Sequence, residues 1–258
     1  MRGGDLDQTM IPGAGASSAA SLRVLEIFDS LQGEGYWTGV PMTFVRLTGC
    51  NAPDLALDCL QWCDTRSSWS RSAGEEVAVA DIVERARYPR MCLTGGEPLL
   101  QREGVAELLA SAHAAGLRVH VETNGTIGPE PPPAVDAPRA GGPGSGGLDF
   151  DWVVVSPKPP DFIVAPGWTD LVDELKLVAD ERLDAPMAEA LAAAHPGAFV
   201  CIQPLAALGD AGGANTHTVP LAERSSIERA SIDRAVALVM HHPDWRLSLQ
   251  THKLLGLR

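Results

Sequence analysis

Short apolar runs rich in β-branched residues recur along the chain, and stretches with a helical spacing of apolar residues lie between them. The runs predict seven buried strands, at 24–27, 42–47, 91–94, 117–121, 152–156, 175–178 and 199–203. The amphipathic stretches predict four helices, at 79–87, 104–115, 183–194 and 226–241. This alternation favours parallel strands joined by right-handed crossovers, in an open sheet or a partial barrel. In such α/β folds, the residues that carry the chemistry follow the carboxyl ends of the strands.

Three segments do not follow this pattern. Residues 1–20 are rich in Gly, Ser and Ala, lack the pattern of a signal peptide, and are expected to form a disordered leader. The Pro- and Gly-rich segment 128–147 is expected to be a mobile insertion, because it cannot bury enough surface to order itself. Residues 208–223 are expected to form a flexible surface loop. No internal repeat is visible, so residues 21–258 are interpreted as one domain.

Composition and charge narrow the classes of function. The chain has 258 residues, of which 45% are apolar, which is enough for a sizeable core. A formal net charge of −13 argues against a nucleic-acid partner, which would need a basic face. No apolar run approaches the ~20 residues that span a bilayer, so no membrane association is expected. Five cysteines without a secretion signal indicate the reducing cytoplasm, where clustered thiols are more often metal ligands or catalysts than disulfides.

Three of the cysteines, Cys50, Cys59 and Cys63, follow the predicted strand 42–47 on one loop. Three thiolates on a loop can bind three irons of a 4Fe–4S cluster and leave the fourth iron open for an outside ligand. The alternatives are a zinc site completed by a remote ligand, or simple burial. Zinc sites usually contain a Cys-x2-Cys pair, which this loop lacks, so the cluster is favoured. Cys92 and Cys201 fall inside predicted strands and are expected to be packed core thiols.

Polar motifs follow three further predicted strands. They are "LTGGEP" at 93–98, "VETNGT" at 121–126 and "VVSPKPP" at 154–160. Each of these motifs alone is weak evidence of a site, but together with the cysteine loop they predict one shared site at the carboxyl ends of the strands. Gly95 and Gly96 would allow the backbone to approach a ligand closely.

These motifs resemble a known family. Three loop cysteines ending in "WCDT" and followed by "GGEP" are typical of radical S-adenosylmethionine (SAM) enzymes, and residues 26–50 and 249–258 are similar to the 7-carboxy-7-deazaguanine synthases. The resemblance covers residues 23–258 apart from the two loops. The cysteine spacing here is Cys-x8-Cys-x3-Cys instead of the usual Cys-x3-Cys-x2-Cys. Because synthases of this family vary this loop, the spacing agrees with the resemblance. Of the three cysteines, Cys59 is the one that the resemblance supports least as a ligand.

The resemblance implies a fold, a reaction and a set of cofactors. The expected fold is α/β, a partial (β/α)6-type radical SAM barrel. The expected reaction is the radical-mediated ring contraction of 6-carboxy-5,6,7,8-tetrahydropterin to 7-carboxy-7-deazaguanine, with loss of ammonia, on the way to queuosine and other 7-deazapurines. The expected cofactors are a 4Fe–4S cluster, SAM and Mg²⁺. Expected partners are the pterin, an electron donor such as a flavodoxin or ferredoxin, and a second copy of the chain in a homodimer.

The resemblance also assigns site residues. Cys50, Cys59 and Cys63 are expected to bind the cluster, and Thr65 the Mg²⁺ ion. The residues expected to bind SAM are Trp62, Gly95, Gly96, Glu97, Glu122, Ser156, Pro157, Lys158, Gln203 and Pro204. The residues expected to bind the substrate are Leu31, Gln32, Gly33, Arg46, Thr94 and Arg258. In this assignment, the Glu97 carboxylate and nearby backbone carbonyls meet the SAM amine, Glu122 meets the ribose hydroxyls, and the carboxylate of the chain terminus at Arg258 meets the pterin ring.

Two points in this assignment stay open from the sequence. A guanidinium at Arg46 suits the pterin carboxylate because it can donate two parallel hydrogen bonds, but a salt bridge to a structural acid would also explain it. Two alternative functions also remain, a radical SAM activase that makes a glycyl radical on a partner protein and a non-catalytic zinc or redox-sensing module.

Overall fold

The computed structural model describes residues 20–130, 148–205 and 226–257. The expected leader 1–20, except for its last residue, lies outside these ranges. So do most of the expected insertion at 128–147, the whole loop 208–223, and Arg258. The expectations for these segments therefore stay predictions.

All described strands belong to one nine-stranded sheet, in the order β3-β1-β2-β4-β5-β6-β7-β8-β9. The strands are β1 (Ser21–Leu31), β2 (Pro41–Leu47), β3 (Glu75–Ala78), β4 (Arg90–Gly95), β5 (Arg118–Thr123), β6 (Trp152–Val155), β7 (Glu174–Val178), β8 (Phe199–Gln203) and β9 (Arg246–Leu247). The seven predicted strands are all present. Strands β3 and β9 were not predicted, because β3 (EEVA) has only one buried residue and β9 has only two residues, both exposed.

The strands from β2 and β4 to β9 pair in parallel, as predicted, but β1 does not. Strand β1 is antiparallel to both β2 and β3, so the expectation of parallel pairing is wrong for this edge of the sheet. The physical reason is the connection, because no helix lies between β1 and β2, and a parallel pair needs a crossover.

The helices are α1 (Val79–Glu84), α2 (Arg102–Ala114), α3 (Ala185–Ala194), α4 (Ser226–His241) and α5 (Thr251–Leu254). The first four were predicted. Helix α3 begins two residues later than expected, because the Asp184 side chain accepts a hydrogen bond from the Met187 amide and caps the helix there. Helix α5 was not predicted. None of the described helices is long and apolar enough to cross a membrane.

The main core packs the strands against the crossover helices. Leu93 of β4, Val121 of β5 and Leu175 of β7 are fully buried in it, together with Leu108 of α2. Cys92 and Cys201 are also buried, which confirms that they are core thiols.

The parallel register brings the carboxyl ends of the strands to one edge of the sheet. Arg46 of β2 lies opposite Thr94 of β4, and Leu47 lies opposite Gly95. The predicted site residues follow directly after these positions, so their place depends on the same core packing.

The core packing predicts a large effect of truncation at Leu175. Leu175→Ala should lower the free energy of unfolding by about 2–5 kcal/mol, because it removes a fully buried side chain and leaves a cavity. Leu171→Ala is the matched control, since Leu171 is 46% exposed, and should change it by less than about 0.5 kcal/mol. Urea unfolding of the two variants measures the difference. Equal losses would contradict the described core.

Candidate active site

A single pocket at the carboxyl ends of β2 and β4 to β8 collects most of the predicted site residues. Those that line it are Leu31, Gln32, Gly33, Arg46, Cys50, Cys59, Trp62, Cys63, Thr65, Thr94, Gly95, Gly96, Glu122, Ser156, Lys158, Gln203 and Pro204. Three predicted residues are not in the pocket lining. Glu97 and Pro157 are buried beside it, and Arg258 lies outside the described residues.

The cysteine loop is held in place by backbone hydrogen bonds at both sides. The amide of Gly49 donates to the carbonyl of Ser68 (2.8 Å), and the amide of Asp58 donates to the carbonyl of Pro159 (2.9 Å). The loop also packs on itself, because Ala52, Leu57 and Cys59 form a small apolar cluster with Cys50, Leu60 and Trp62 against it. These contacts give the loop a defined conformation.

The three thiols of the loop differ in exposure. Cys59 is buried, whereas Cys50 and Cys63 are half-buried. Burial raises the pKa of the Cys50 thiol, and it raises the pKa of Cys59 to about 11. The Sγ atom of Cys63 accepts a hydrogen bond from Trp69 Nε1 (3.3 Å) and lies 3.5 Å from Thr65 Oγ1. Because metal ligation needs thiolates, a metal would have to displace the protons of Cys50 and Cys59.

The loop after β4 approaches the cysteine loop so closely that only glycine fits. A Cβ atom at Gly95, where φ is +135°, would lie 2.1 Å from the carbonyl oxygen of Leu47. A Cβ atom at Gly96 would lie 2.0 Å from the carbonyl oxygen of Gly49. The two glycines thus let the strand end of β4 pack directly on the backbone that leads to Cys50.

The Glu97 carboxylate is fully buried and is bonded to the protein on both oxygens. It accepts hydrogen bonds from the amides of Leu99 (3.1 Å) and Asn124 (2.8 Å), and from Thr123 Oγ1 at 2.8 and 2.9 Å. The Glu97 amide in turn donates to the carbonyl of Gly49 (2.8 Å). The carboxylate thus joins the ends of β4 and β5, and the expectation that it meets the SAM amine stays a prediction.

Glu122 lies among predicted substrate residues. Its carboxylate accepts hydrogen bonds from Thr94 Oγ1 (3.0 Å) and Gln32 Nε2 (3.1 Å). The Lys176 ammonium lies 3.8 Å from the same carboxylate. The structure thus places Glu122 with two residues that were assigned to the substrate, although the sequence assigned it to the ribose of SAM.

A buried ion pair borders the pocket and was not predicted. Lys176 Nζ lies 2.5 Å from Glu34 Oε2, and both side chains are almost fully buried. Burial would raise the pKa of the Glu34 carboxyl, but the Lys176 charge and hydrogen bonds from Lys176 and Gln250 hold this pKa at about 2. One signal in the sequence could have identified Lys176, because it is the only cation in the apolar run "ELKLV" of β7.

The C-terminal residues reach the same pocket. Gln250 Nε2 donates to Glu34 Oε1 (2.7 Å), and Lys253 Nζ contacts Asp64 Oδ2 (2.5 Å) next to Cys63. The Thr251 amide donates to the carbonyl of Gly33 (2.9 Å). These contacts fix α5 against both the cysteine loop and the turn after β1, and they bring Gln250, His252 and Lys253 into the pocket wall.

Lys158 and Ser156 form the cationic side of the pocket. Lys158 Nζ donates to Ser156 Oγ (2.7 Å) and lies 5.5 Å from the centre of the Trp62 ring. Burial lowers the pKa of Lys158, against the opposing attraction of nearby thiols. Pro157, between them, is buried and points no side chain into the pocket lining.

Arg46 lines the pocket and is also ion-paired. Its Nε atom lies 2.8 Å from Glu26 Oε1, and its guanidinium carbon lies 5.6 Å from the centre of the Phe28 ring. The alternative weighed from the sequence, a salt bridge to a structural acid, is therefore present. The same contacts orient the guanidinium at the pocket wall.

The Glu34 pair predicts a specific loss of stability in acid. A carboxyl whose folded pKa of about 2 lies below its ordinary 4.5 stabilises the fold above pH 4.5, and the stabilisation is lost as the pH falls towards 2. Glu34→Gln should lower the free energy of unfolding by about 3 kcal/mol near pH 7, because Lys176 loses its buried partner. This deficit should shrink as the pH falls below 4.5, because the unfolded wild-type chain then binds a proton that the folded Glu34 carboxyl does not.

Urea unfolding of wild type and variant between about pH 7 and pH 3 measures this deficit. Glu103→Gln, on the exposed side of α2, is the control and should show little deficit at any pH. A deficit for Glu34→Gln that stays constant with pH would contradict the assignment.

The chain is similar to known proteins both in sequence and in structure. No protein-family model matches the chain. The 7-carboxy-7-deazaguanine synthase of Synechocystis sp. is 31% identical over 246 residues, which cover 92% of this chain and 94% of that protein. That of Hyperthermus butylicus is 43% identical over 157 residues, which cover 58% of this chain and 59% of that protein.

Among solved structures, the crystal structure of QueE from Escherichia coli is similar, with a TM-score of 0.58 and 22% identity. The match covers 89% of this chain and 93% of that chain. This likeness confirms the expected fold, a partial α/β barrel of the radical SAM type.

Proposed function

This chain belongs to the 7-carboxy-7-deazaguanine synthase family, and we propose that it converts 6-carboxy-5,6,7,8-tetrahydropterin to 7-carboxy-7-deazaguanine with release of ammonia. It does so as a radical SAM lyase, in a route to queuosine and other 7-deazapurines. The observation that carries the proposal is the convergence of three loop thiols, a cationic wall and a polar wall on one pocket. The family relationship also favours a small-molecule substrate over the protein substrate of a glycyl-radical activase.

The cysteine pattern supports a cluster over a single zinc ion, because the loop lacks the Cys-x2-Cys pair that zinc sites usually contain. The three thiols would hold three irons of a 4Fe–4S cluster. When bound, the cluster and SAM supply the radical that starts the rearrangement.

The cationic wall suits SAM. The Lys158 ammonium and the Ser156 hydroxyl would bind the SAM carboxylate, and their mutual hydrogen bond holds them in position for it. Backbone groups of Gly95 and Gly96 would meet its amine, and burial of Glu97 keeps those groups in place. Trp62 and the pair Gln203–Pro204, which line the pocket, would border the adenosine.

The polar wall suits the pterin. Gln32, Thr94 and Glu122 form one hydrogen-bonded group, which can both donate to and accept from the ring edge. The Arg46 guanidinium, oriented by Glu26, would bind the pterin carboxylate. Leu31 and Gly33 complete this wall next to the Glu34–Lys176 pair, and Glu122 is assigned here to the substrate.

The remaining assignments follow from family membership. Thr65 would bind Mg²⁺, for which a single hydroxyl suffices only when substrate oxygens and waters complete the octahedron. The carboxylate of the chain terminus at Arg258 would meet the pterin ring. A flavodoxin or ferredoxin would donate the electron. The enzyme would act in the cytoplasm as a homodimer, in which residues 21–258 of each chain form one domain.

The proposed reaction is tested with anaerobically reconstituted protein, SAM, a reductant and the carboxytetrahydropterin. We expect a product with the mass of 7-carboxy-7-deazaguanine and one ammonia for each turnover. A protein that binds an iron–sulfur cluster and cleaves SAM but leaves the pterin unchanged would exclude this substrate. A colourless protein that binds only zinc would favour the zinc or redox-sensing module.

Variants of the cysteines test the ligand assignment. Cys50→Ala, Cys59→Ala and Cys63→Ala should each lose the bound cluster, because a cubane held by two thiolates is open on two irons. Cys92→Ala and Cys201→Ala are the controls and should keep wild-type iron content, because both residues are core thiols. Iron and sulfide analysis measures the outcome. Full iron content in Cys59→Ala would show that another group is the third ligand.

A further inference from the structure

Two histidines and a glutamate meet on the outer layer of the fold, away from the pocket. Glu189 lies on α3, His241 is the last residue of α4, and His242 follows it directly. One ligand atom from each residue lies within 4.8 Å of the other two, and none of the three residues lines the catalytic pocket. We propose that this His2Glu cluster binds a divalent transition-metal ion, with Zn²⁺ as the expected occupant.

The position of the cluster separates it from the catalytic chemistry. The C-terminal end of α4 leads into β9, so it lies beside the amino ends of the parallel strands. The catalytic pocket lies at their carboxyl ends. An ion here would join α3 to α4 and would act on the stability of this edge, not on the reaction.

His242 is already oriented for ligation. Its ring stacks on Trp245, with the ring centres 3.9 Å apart and the planes inclined by 21°. Its amide donates to the carbonyl of Leu238 (3.0 Å), and its carbonyl accepts from the amide of Trp245 (2.9 Å). Both the backbone and the ring are therefore fixed, which lowers the entropy cost of binding an ion.

The Nε2 atom of His242 lacks a hydrogen bond. It lies 3.1 Å from Glu189 Oε1, within ion-pair distance, but the angles are not those of a hydrogen bond. Among the described residues, this buried nitrogen has no hydrogen-bond partner. A buried polar atom without a partner is costly, and a metal ion between the nitrogen and the carboxylate would satisfy both.

The donor set indicates the class of ion. Two imidazoles and a carboxylate suit zinc and its transition-metal neighbours, whereas Ca²⁺ and Mg²⁺ prefer oxygen ligands. Donors about 2.1 Å from a tetrahedral zinc lie about 3.4 Å apart, so a small rotation of the exposed Glu189 and His241 side chains closes the site. The favourable interaction of a histidine with a helix C-terminus would explain His241 or His242 singly, but not the approach of Glu189.

The test uses protein loaded with its iron–sulfur cluster, so that the loop thiols cannot bind zinc. Equilibrium dialysis against buffered Zn²⁺, with elemental analysis, should give one zinc for each wild-type chain at unchanged iron content. The double variant Glu189→Gln/His241→Ala, in which both changed residues are exposed, should bind zinc at least about tenfold more weakly. His113→Ala is the matched control, because it removes another histidine–carboxylate contact, with Asp151 (2.9 Å), and should leave zinc binding unchanged.

Thermal unfolding gives a second readout. Zinc should raise the Tm of the wild type and of His113→Ala, because the ion binds the His2Glu site of the folded protein only. It should have little effect on the Tm of the double variant, which lacks two of the three ligands. Wild-type protein that binds no zinc, or a double variant with wild-type affinity, would overturn the proposal.

Discussion

The buried Glu97 carboxylate is the constraint on which the candidate active site depends. It joins the end of β4 to the end of β5 through its two oxygens, while its own amide holds the backbone before Cys50. Burial raises the pKa of Glu97, in opposition to the hydrogen bonds that stabilise the charged form. Such a group is stabilising only while every partner is present, since a buried acceptor without its donors costs about 1–3 kcal/mol. The close approach of Gly95 and Gly96 to the cysteine loop follows from this arrangement.

A second set of charges links distant parts of the chain around the pocket. Glu34 follows β1, Lys176 lies on β7, and Gln250 precedes α5, yet the three side chains are directly bonded. A buried ion pair is costly to break but contributes little net stability when complete. Its role here is to fix the positions of these chain segments relative to one another. It holds α5 against the turn that carries Gln32 and Gly33, so these two parts of the pocket wall are positioned together.

Much of the fold and of the site could be predicted from the sequence. The seven predicted strands have apolar runs, and the cysteines, Gly95 and Lys158 lie at or after strand ends whose position is set by parallel pairing. The remainder depends on contacts between distant residues. The direction of β1 depends on the connection to β2, and α5 is stabilised by contacts with Gly33 and Asp64 that its own four residues do not encode.

The contacts of each site residue were harder to predict than which residues line the pocket. Glu97 stands in a ligand-binding motif, but a motif does not tell whether a carboxylate points into a pocket or beneath it. Glu122 was assigned to SAM from the family resemblance, whereas its hydrogen bonds are with Gln32 and Thr94. The ion pair of Arg46 with Glu26 crosses from β2 to β1 and depends on the antiparallel pairing that the sequence pattern did not predict.

The central claim, that the buried Glu97 carboxylate positions the strand ends, is tested by the Glu97→Gln variant. The amide NH2 group cannot accept the hydrogen bonds that the carboxylate accepts. We therefore expect the free energy of unfolding to fall by about 1–3 kcal/mol together with SAM affinity, whereas the exposed control Glu107→Gln should change neither. Urea unfolding and SAM titration of the reconstituted proteins measure both quantities. Lost SAM affinity with an unchanged free energy of unfolding would contradict the account and make Glu97 a direct ligand.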